Sequence, residues 1–258
     1  LIHPTAIVHP DARIAEDASI GPHAVIEEGV EIGAGTRVDP FTVIRGPTRI
    51  GRDNRIHQFC SLGDDPQDKK YRPGEHSELL IGAGNVIREY CSINRGTAAC
   101  GGRTMIGDGN WIMANVHIAH DCIVGNQGVF ANHATLAGHV VVEDHVTLGG
   151  FTGVRQFCRI GAYGFTAAFS AVTRDTPPYL SVSGNKARPI GINQEGLRRH
   201  GFKAERIATL KTAYRLLYRE GLRLCEALER LDELASSSGS DDVAKLTKFI
   251  RARGRPVR

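Results

Sequence analysis

Aliphatic residues recur every six positions along most of this chain. They fall at Ile2, Val8, Ile14, Ile20, Ile26, Ile32, Val38, Ile44, Ile50, Ile56 and Leu62 without a break, then at Ile81, Ile87 and Ile93. A third run goes from Ile106, Ile112, Ile118 and Val124 through Phe130, Leu136, Val142, Leu148, Val154 and Ile160 to Val172, with Thr166 its one polar exception. Neither the 3.6-residue period of a helix nor the two-residue period of a long strand yields this spacing. A chain that makes a short strand, turns and repeats does. Nine glycines directly follow the aliphatic, and small residues such as Ala18, Ala24, Cys122 and Ala134 sit four places after it. The aliphatic and the small residue point inward, and the glycine relieves the turn. Three such strands close a triangular coil of about 18 residues, and stacked coils pair as parallel strands some 4.8 Å apart. The 26 hexads then stack to a height of about 40 Å. The fold class expected is an all-β solenoid with an α-helical addition.

Two segments interrupt the period, 64–80 ("DDPQDKKYRPGEHSELL") and 94–105 ("NRGTAACGGRTM"). They are expected as loops thrown out from the prism, and loops on a rigid scaffold often carry function. After Val172 the chain is irregular around Pro177 and Pro178. From about 194 to 252 it reads as helices: Ile207, Leu210, Tyr214, Leu217 and Tyr218 share one helical face, and Gly221 and "SSSGSDD" mark breaks. The domains expected are therefore a repeat prism over 1–192, including both loops, and a helical domain over 193–258. Such a tail can cap the open end of a solenoid, which otherwise exposes strand edges.

Charge divides along the same line. The net charge is +4, yet residues 193–258 carry 15 Lys/Arg against 9 Asp/Glu, leaving −2 for the prism. A basic helical surface most often simply stays solvated; its functional alternative is an acidic partner or a phosphorylated ligand. The opening "LIHPTAIVHP" lacks the basic segment and apolar run of a signal peptide, and no transmembrane segment is expected. Six cysteines without a CxxC pair point to a reducing, cytoplasmic setting.

The stretch "NVHIAHDCIVGN" at 115–126 gathers two histidines, an aspartate and a cysteine. The coil decides which of them can act. Ile112, Ile118 and Val124 point inward, so His117 faces out and His120 sits at an outer turn beside Asp121. Cys122, like Cys60, Cys91 and Cys158, fills the small inward position and is a core filler rather than a nucleophile. His139 follows His120 by one coil plus one residue and shares its edge. His133, His139 and His145 are six apart and lie on three faces, so one metal ion could gather them only between subunits. Read from pattern alone, His120 remains either an acid–base residue, a metal ligand or a polar surface group.

Several stretches taken together narrow this. "NVHIAHDCIVGN", "ANHATLAGH", "RQFCRIGA" and "GINQEGLRRHGF", with "DPQDKKY" and "INRGT", resemble the UDP-N-acetylglucosamine acyltransferase family of lipid A synthesis over nearly the whole chain. The resemblance implies a left-handed parallel β-helix of hexapeptide repeats with a C-terminal helical domain, a sense of winding that the sequence does not itself fix. It implies transfer of an (R)-3-hydroxyacyl group from acyl carrier protein to the 3-position of UDP-N-acetylglucosamine, by a homotrimer with clefts between subunits and without cofactor, metal or nucleic acid. Carried onto this sequence, His120 is the general base, Asp121 its partner, and Gly138 the glycine whose N–H faces the oxyanion. Gln67, Asp68 and Lys70 match substrate-contacting loop residues. His117, His139, Gln156, Asn193, Glu195 and Arg199 match positions lining the sugar-nucleotide and acyl cleft. Ala168, with Phe165 and Ala167, occupies the stretch that limits acyl length. Two positions depart from the family pattern: Arg155 stands where many members have histidine, and His200 where a second arginine is common. Arg155 is read as a replacement phosphate donor, and the basic tail as suited to an acidic carrier protein. Two rivals remain at this level, a zinc enzyme of the carbonic anhydrase type on the same prism and a non-catalytic hexapeptide scaffold.

Overall fold

The computed structural model describes residues 1–252. The last six residues, which the sequence reading joins to the helical domain, lie outside the described ones. Among the described residues the six-residue period becomes three sheets of short strands. The first sheet climbs in nine strands from Ile7–Val8 to Ala171–Val172, and the second in eight from Arg13–Ile14 to Arg159–Ile160. The third has ten, starting at Ser19–Ile20 and ending in the antiparallel hairpin of Leu180–Ser183 and Arg188–Ile192. That hairpin occupies the stretch the sequence leaves irregular. The coil runs on through it, since Ser181 and Val182 pair in parallel with Phe165 and Thr166, but the broken hexad around Pro177 and Pro178 hides that pairing.

Register follows the coil: His117 pairs with Thr135, and Thr135 with Gly153, each step being one turn of the prism. The aliphatic row from Ile20 to Val172 is buried, and so is Thr166. Thr166 is tolerated there because its hydroxyl meets that of Thr152 at 2.8 Å and accepts from the Gly149 N–H at 3.1 Å. Each buried Ile or Val contributes about 1.5–3 kcal/mol relative to exposure, so this row is the main support of the fold. At the open lower end Ile2 is still half exposed.

The excursions are shorter than the lapse in period suggests. Strand pairing resumes at Glu78 and Arg103, before the aliphatic register returns at Ile81 and Ile106. The chain is therefore away from the prism over 65–77 and 95–102, the second stretch holding a 3-10 turn at Ala98–Cys100.

Four helices follow: α1 (Gln194–Arg199), α2 (Ala204–Tyr218), α3 (Leu224–Ser238) and α4 (Asp241–Arg251). Tyr179 on the prism packs with Leu197, Phe202, Ile207 and Leu210. Ala213, Leu231, Val243, Leu246 and Ile250 form a separate helical core. Two polar ties fix α4 to the prism. Buried Asp242 accepts from Tyr179 at 3.1 Å and from Arg206 at 2.8 and 3.0 Å. The Arg159 guanidinium donates to the Phe249 carbonyl at 2.8 Å and lies 4.0 Å from the Phe249 ring centroid.

Candidate active site

From His23 upward most corners of the prism hold one residue in the left-handed backbone region, where a side chain other than glycine is uncommon. On the corner between the first and second sheets these residues are Asp121, His139 and Phe157, with φ of 59, 62 and 63°. The turn repeats coil on coil, so its positions form columns. His120, Gly138 and Gln156 make one column, and Asp121, His139 and Phe157 the next. Backbone hydrogen bonds tie them, from His139 N to His120 O at 3.0 Å and from Phe157 N to Gly138 O at 3.2 Å.

Asp121 is buried and fully engaged. Its carboxylate accepts from the Thr97 N–H at 2.9 Å and the Thr97 hydroxyl at 2.7 Å, while its own N–H donates to Thr104 Oγ1 at 2.8 Å. The remaining partner is His120, whose Nδ1 lies 2.8 Å from Asp121 Oδ2. A carboxylate only accepts, so Nδ1 carries the proton and Nε2 keeps its lone pair. The ring rests directly on Gly138: a Cβ there would stand 2.6 Å from His120 Cε1 and 2.7 Å from Nε2. Glycine is needed at 138 for the imidazole above His120's corner to have room. The Gly138 N–H donates to no acceptor among the described residues.

His139 meets His120 edge-on, with centroids 5.1 Å apart, and stacks on Phe157 at 4.5 Å. Its Nε2 lies 3.8 Å from Asp121 Oδ2. Burial holds the His139 imidazole below the ordinary histidine range, with Asp121 pulling the other way. His117 projects from the outer face of the first sheet, its Nδ1 2.7 Å from Ser92 Oγ. Burial and the nearby His120 depress its proton affinity too. Neutral imidazoles around His120 keep further positive charge away from it.

Both excursions leave the prism at this corner, between first-sheet and second-sheet strands. Arg95 fixes the first: it donates to the carbonyls of Gly63 at 2.8 Å and Gly46 at 3.1 Å, to Tyr71 Oη at 3.1 Å, and pairs with Asp65. The result is a cavity of about 620 Å³. Gln67, Asp68, Lys70 and Tyr71 line it from one excursion, Thr97 and Ala99 from the other, and His120, His139, Gln156 and Phe157 from the corner. A larger hollow of about 870 Å³ runs along the second sheet. Its one carboxylate, Glu31, is paired with Arg13 and Arg49, and it gathers no histidine, so the chemistry belongs to the smaller cleft.

The chain brings Gln67, Asp68, Lys70, His120, Asp121, Gly138, His139 and Gln156 together, with Arg155 next to Gln156 on the same turn. Other expected residues lie elsewhere. Ala168 is exposed on the corner between the third and first sheets. Asn193 caps α1, accepting from Gly196 N at 3.1 Å, and donates to the Tyr163 carbonyl at 2.9 Å on the corner between the second and third sheets. Glu195 there pairs with Arg199 at 3.1 Å. His133, His139 and His145 occupy three different corners, as their spacing requires. Thr97, Thr104, Arg95 and Tyr71 were not singled out from sequence; "INRGT" holds two of them, but nothing in the spacing says which carboxylate they meet.

The chain resembles known proteins throughout. Residues 175–257 match the family model described as UDP N-acetylglucosamine O-acyltransferase, domain 2, and residues 103–138 match the bacterial transferase hexapeptide (six repeats). A relative from Halorhodospira halophila named acyl-[acyl-carrier-protein]–UDP-N-acetylglucosamine O-acyltransferase is 56% identical, covering 96% of this chain and 95% of its own. One of the same name from Thiobacillus denitrificans is 52% identical, over 99% and 98%. The solved UDP-N-acetylglucosamine O-acyltransferase (LpxA) from Moraxella catarrhalis superposes with a TM-score of 0.95 at 44% identity, over 100% of this chain and 99% of that one. The fold is accordingly the left-handed parallel β-helix with a helical C-terminal region.

Proposed function

Since this chain belongs to the UDP-N-acetylglucosamine O-acyltransferase family, we propose that it moves an (R)-3-hydroxyacyl group from acyl carrier protein to the 3-hydroxyl of UDP-N-acetylglucosamine, the first step of lipid A biosynthesis. The observation that carries the mechanism is the fixed array Thr97–Asp121–His120 beneath Gly138, at the wall of the cleft. A sugar hydroxyl is a poor nucleophile, and a near-neutral base assists it without being mostly protonated itself. His120 Nε2 takes the hydroxyl proton as the oxygen bonds to the thioester carbon. The Gly138 N–H meets the resulting oxyanion. As the intermediate collapses, the C–S bond breaks and the thiolate of the carrier leaves with the proton from His120. Asp121 stabilises the imidazolium in between, and its bonds to Thr97 keep it from turning away.

The acyl chain has a path across the first sheet. Outward positions there are small in successive coils, Thr135 pairing with Gly153 and Gly153 with Ala171, and the row ends beside Ala168. At Gly153 an added Cβ would meet nothing within 4 Å. Asn193, Glu195 and Arg199 sit on a different corner from His120, which supports a homotrimer in which one subunit's cleft receives these residues from the next. Phe41, Phe59, Tyr90, Trp111, Phe151 and Phe169 are exposed on the single chain, as an assembling prism requires. No helix among the described residues is long and apolar enough to cross a membrane, and Cys225 is an exposed free thiol. The free thiol suits a reducing cytoplasm. The test is mass spectrometry of products from chelator-treated enzyme, given acyl carriers of several chain lengths and either UDP-N-acetylglucosamine or its 3-amino counterpart. Unconsumed thioester in every reaction would refute the assignment.

A further inference from the structure

The cleft places a third ligating side chain, His139, beside the base and its carboxylate. His120, Asp121 and His139 present ligand atoms within 4.8 Å of one another, from two coils and one corner. Two edges of this triangle are 2.8 Å, from His120 Nδ1 to Asp121 Oδ2, and 3.8 Å, from His139 Nε2 to the same oxygen, and the third is no longer than 4.8 Å. Ligands about 2.0–2.2 Å from a tetrahedral zinc stand roughly 3.3–3.5 Å from one another. The first gap therefore opens and the second closes by about half an ångström to fit such an ion. His139 is free to move that far, since it makes a ring stack with Phe157 rather than a directional bond. Asp121 is held by Thr97 at both carboxylate oxygens, so it serves as the fixed vertex.

We infer that His120, Asp121 and His139 form a binding site for a borderline-soft divalent cation of the zinc class, and that the ion inhibits the enzyme by locking its base in the wrong tautomer. Two imidazoles and one carboxylate favour zinc or its late first-row neighbours over magnesium and calcium, which select oxygen ligands. The inhibitory half rests on the reading of His120 as base. In the metal-free site the single imidazole proton sits on Nδ1, facing Asp121, and Nε2 is the acceptor. A cation on Nδ1 occupies that lone pair and sends the proton to Nε2. No proton is lost, yet the nitrogen that faces the substrate can no longer accept one.

The experiment begins without substrate. Metal-stripped full-length protein is titrated calorimetrically with zinc chloride and, separately, magnesium chloride, and the same is done for His139→Gln and Asp121→Asn. One zinc per chain is expected, with no magnesium uptake. Each variant should bind at least about tenfold more weakly, since even outer-shell partners act on that scale. Circular dichroism identifies a variant that has lost its fold, and the other then carries the comparison. Turnover of the wild type should fall as zinc fills the site and return with a chelator. No stoichiometric uptake, or uptake equal in both variants, would overturn the site; undiminished turnover at full zinc occupancy would overturn the inhibition. Site-specific uptake by a chain that transfers no acyl group would support the cation site and refute the acyltransferase reading, so the two failures are distinguishable.

Discussion

Replacing Gly138 by alanine separates the geometry of the base from the donor that faces the oxyanion. Alanine keeps the backbone N–H, so a glycine acting only as a hydrogen-bond donor would tolerate the change. The added methyl, however, would lie 2.6, 2.7 and 3.2 Å from Cε1, Nε2 and Nδ1 of His120. Ordinary carbon contacts are about 3.5–4.0 Å, so the ring has to move by about 1 Å. Movement away from Gly138 strains or breaks its 2.8 Å bond to Asp121. A misplacement of about 1 Å costs roughly a hundredfold in rate, or about 2.7 kcal/mol of barrier. Gly138 lies outside the left-handed region, so the backbone accepts alanine, but the gain of about 0.4–1 kcal/mol from a stiffer unfolded chain is set against the strained His120–Asp121 bond, worth about 1.5–3 kcal/mol. The expected signature is a melting temperature modestly below wild type, with kcat down about a hundredfold. Turnover by mass spectrometry and thermal melts on the same preparation measure both. A kcat within a few-fold of wild type would refute the steric reading.

His120→Ala should lose at least about a hundredfold in kcat, the lower end of what a general base supplies, with oligomeric state unchanged in sedimentation and stability lowered by no more than the lost bond to Asp121, about 1.5–3 kcal/mol; near-normal turnover would remove it as the base. Arg95→Lys removes the planar fork that reaches Gly63, Gly46 and Tyr71, so it should destabilise by about 2–3 kcal/mol and raise KM more than it lowers kcat, and an unchanged melt and KM would show the first excursion holds itself. His57, His117, His139 and His200 all titrate below the ordinary 6.5 in the folded chain. The unfolded chain therefore takes up protons first on acidification, so stability is full above about pH 6.5 and declines as pH falls through the lowered folded values; a melting temperature that rises on mild acidification contradicts this. Ala168→Met should shift the preferred acyl donor to a shorter chain, each methylene being worth about 1–3 kcal/mol of discrimination, and an identical product profile would place the limit at another residue.

Much of this fold could be read before any coordinates, because a hexad records directly which side chains face the core. His120 and His139 were assigned to one edge for the same reason. What the period cannot say is how the interruptions are oriented. Each excursion resets the count, and only the strand pairing reveals that 65–77 and 95–102 leave from the corner that carries His120. Thr97 was illegible as the holder of Asp121, since the contact spans 24 positions and an excursion with no period. Asn193, Glu195 and Arg199 resemble cleft residues in their sequence motif, yet one chain holds them on another corner. In the proposed homotrimer the motif records a site built between copies, which a single folded chain cannot close.

The columns at the corner also constrain how this sequence can change length. Deleting one residue between Asp121 and Gly138 would turn every inward aliphatic above it one step out of register and move Gly138 off the His120 ring. The excursions obey no such count, because each leaves and rejoins the prism at a single corner. Insertions and deletions among descendants of this chain should therefore collect in 65–77 and 95–102. Those segments wall the cleft, so substrate preference can drift by changes in loop length while the base and its carboxylate stay in place.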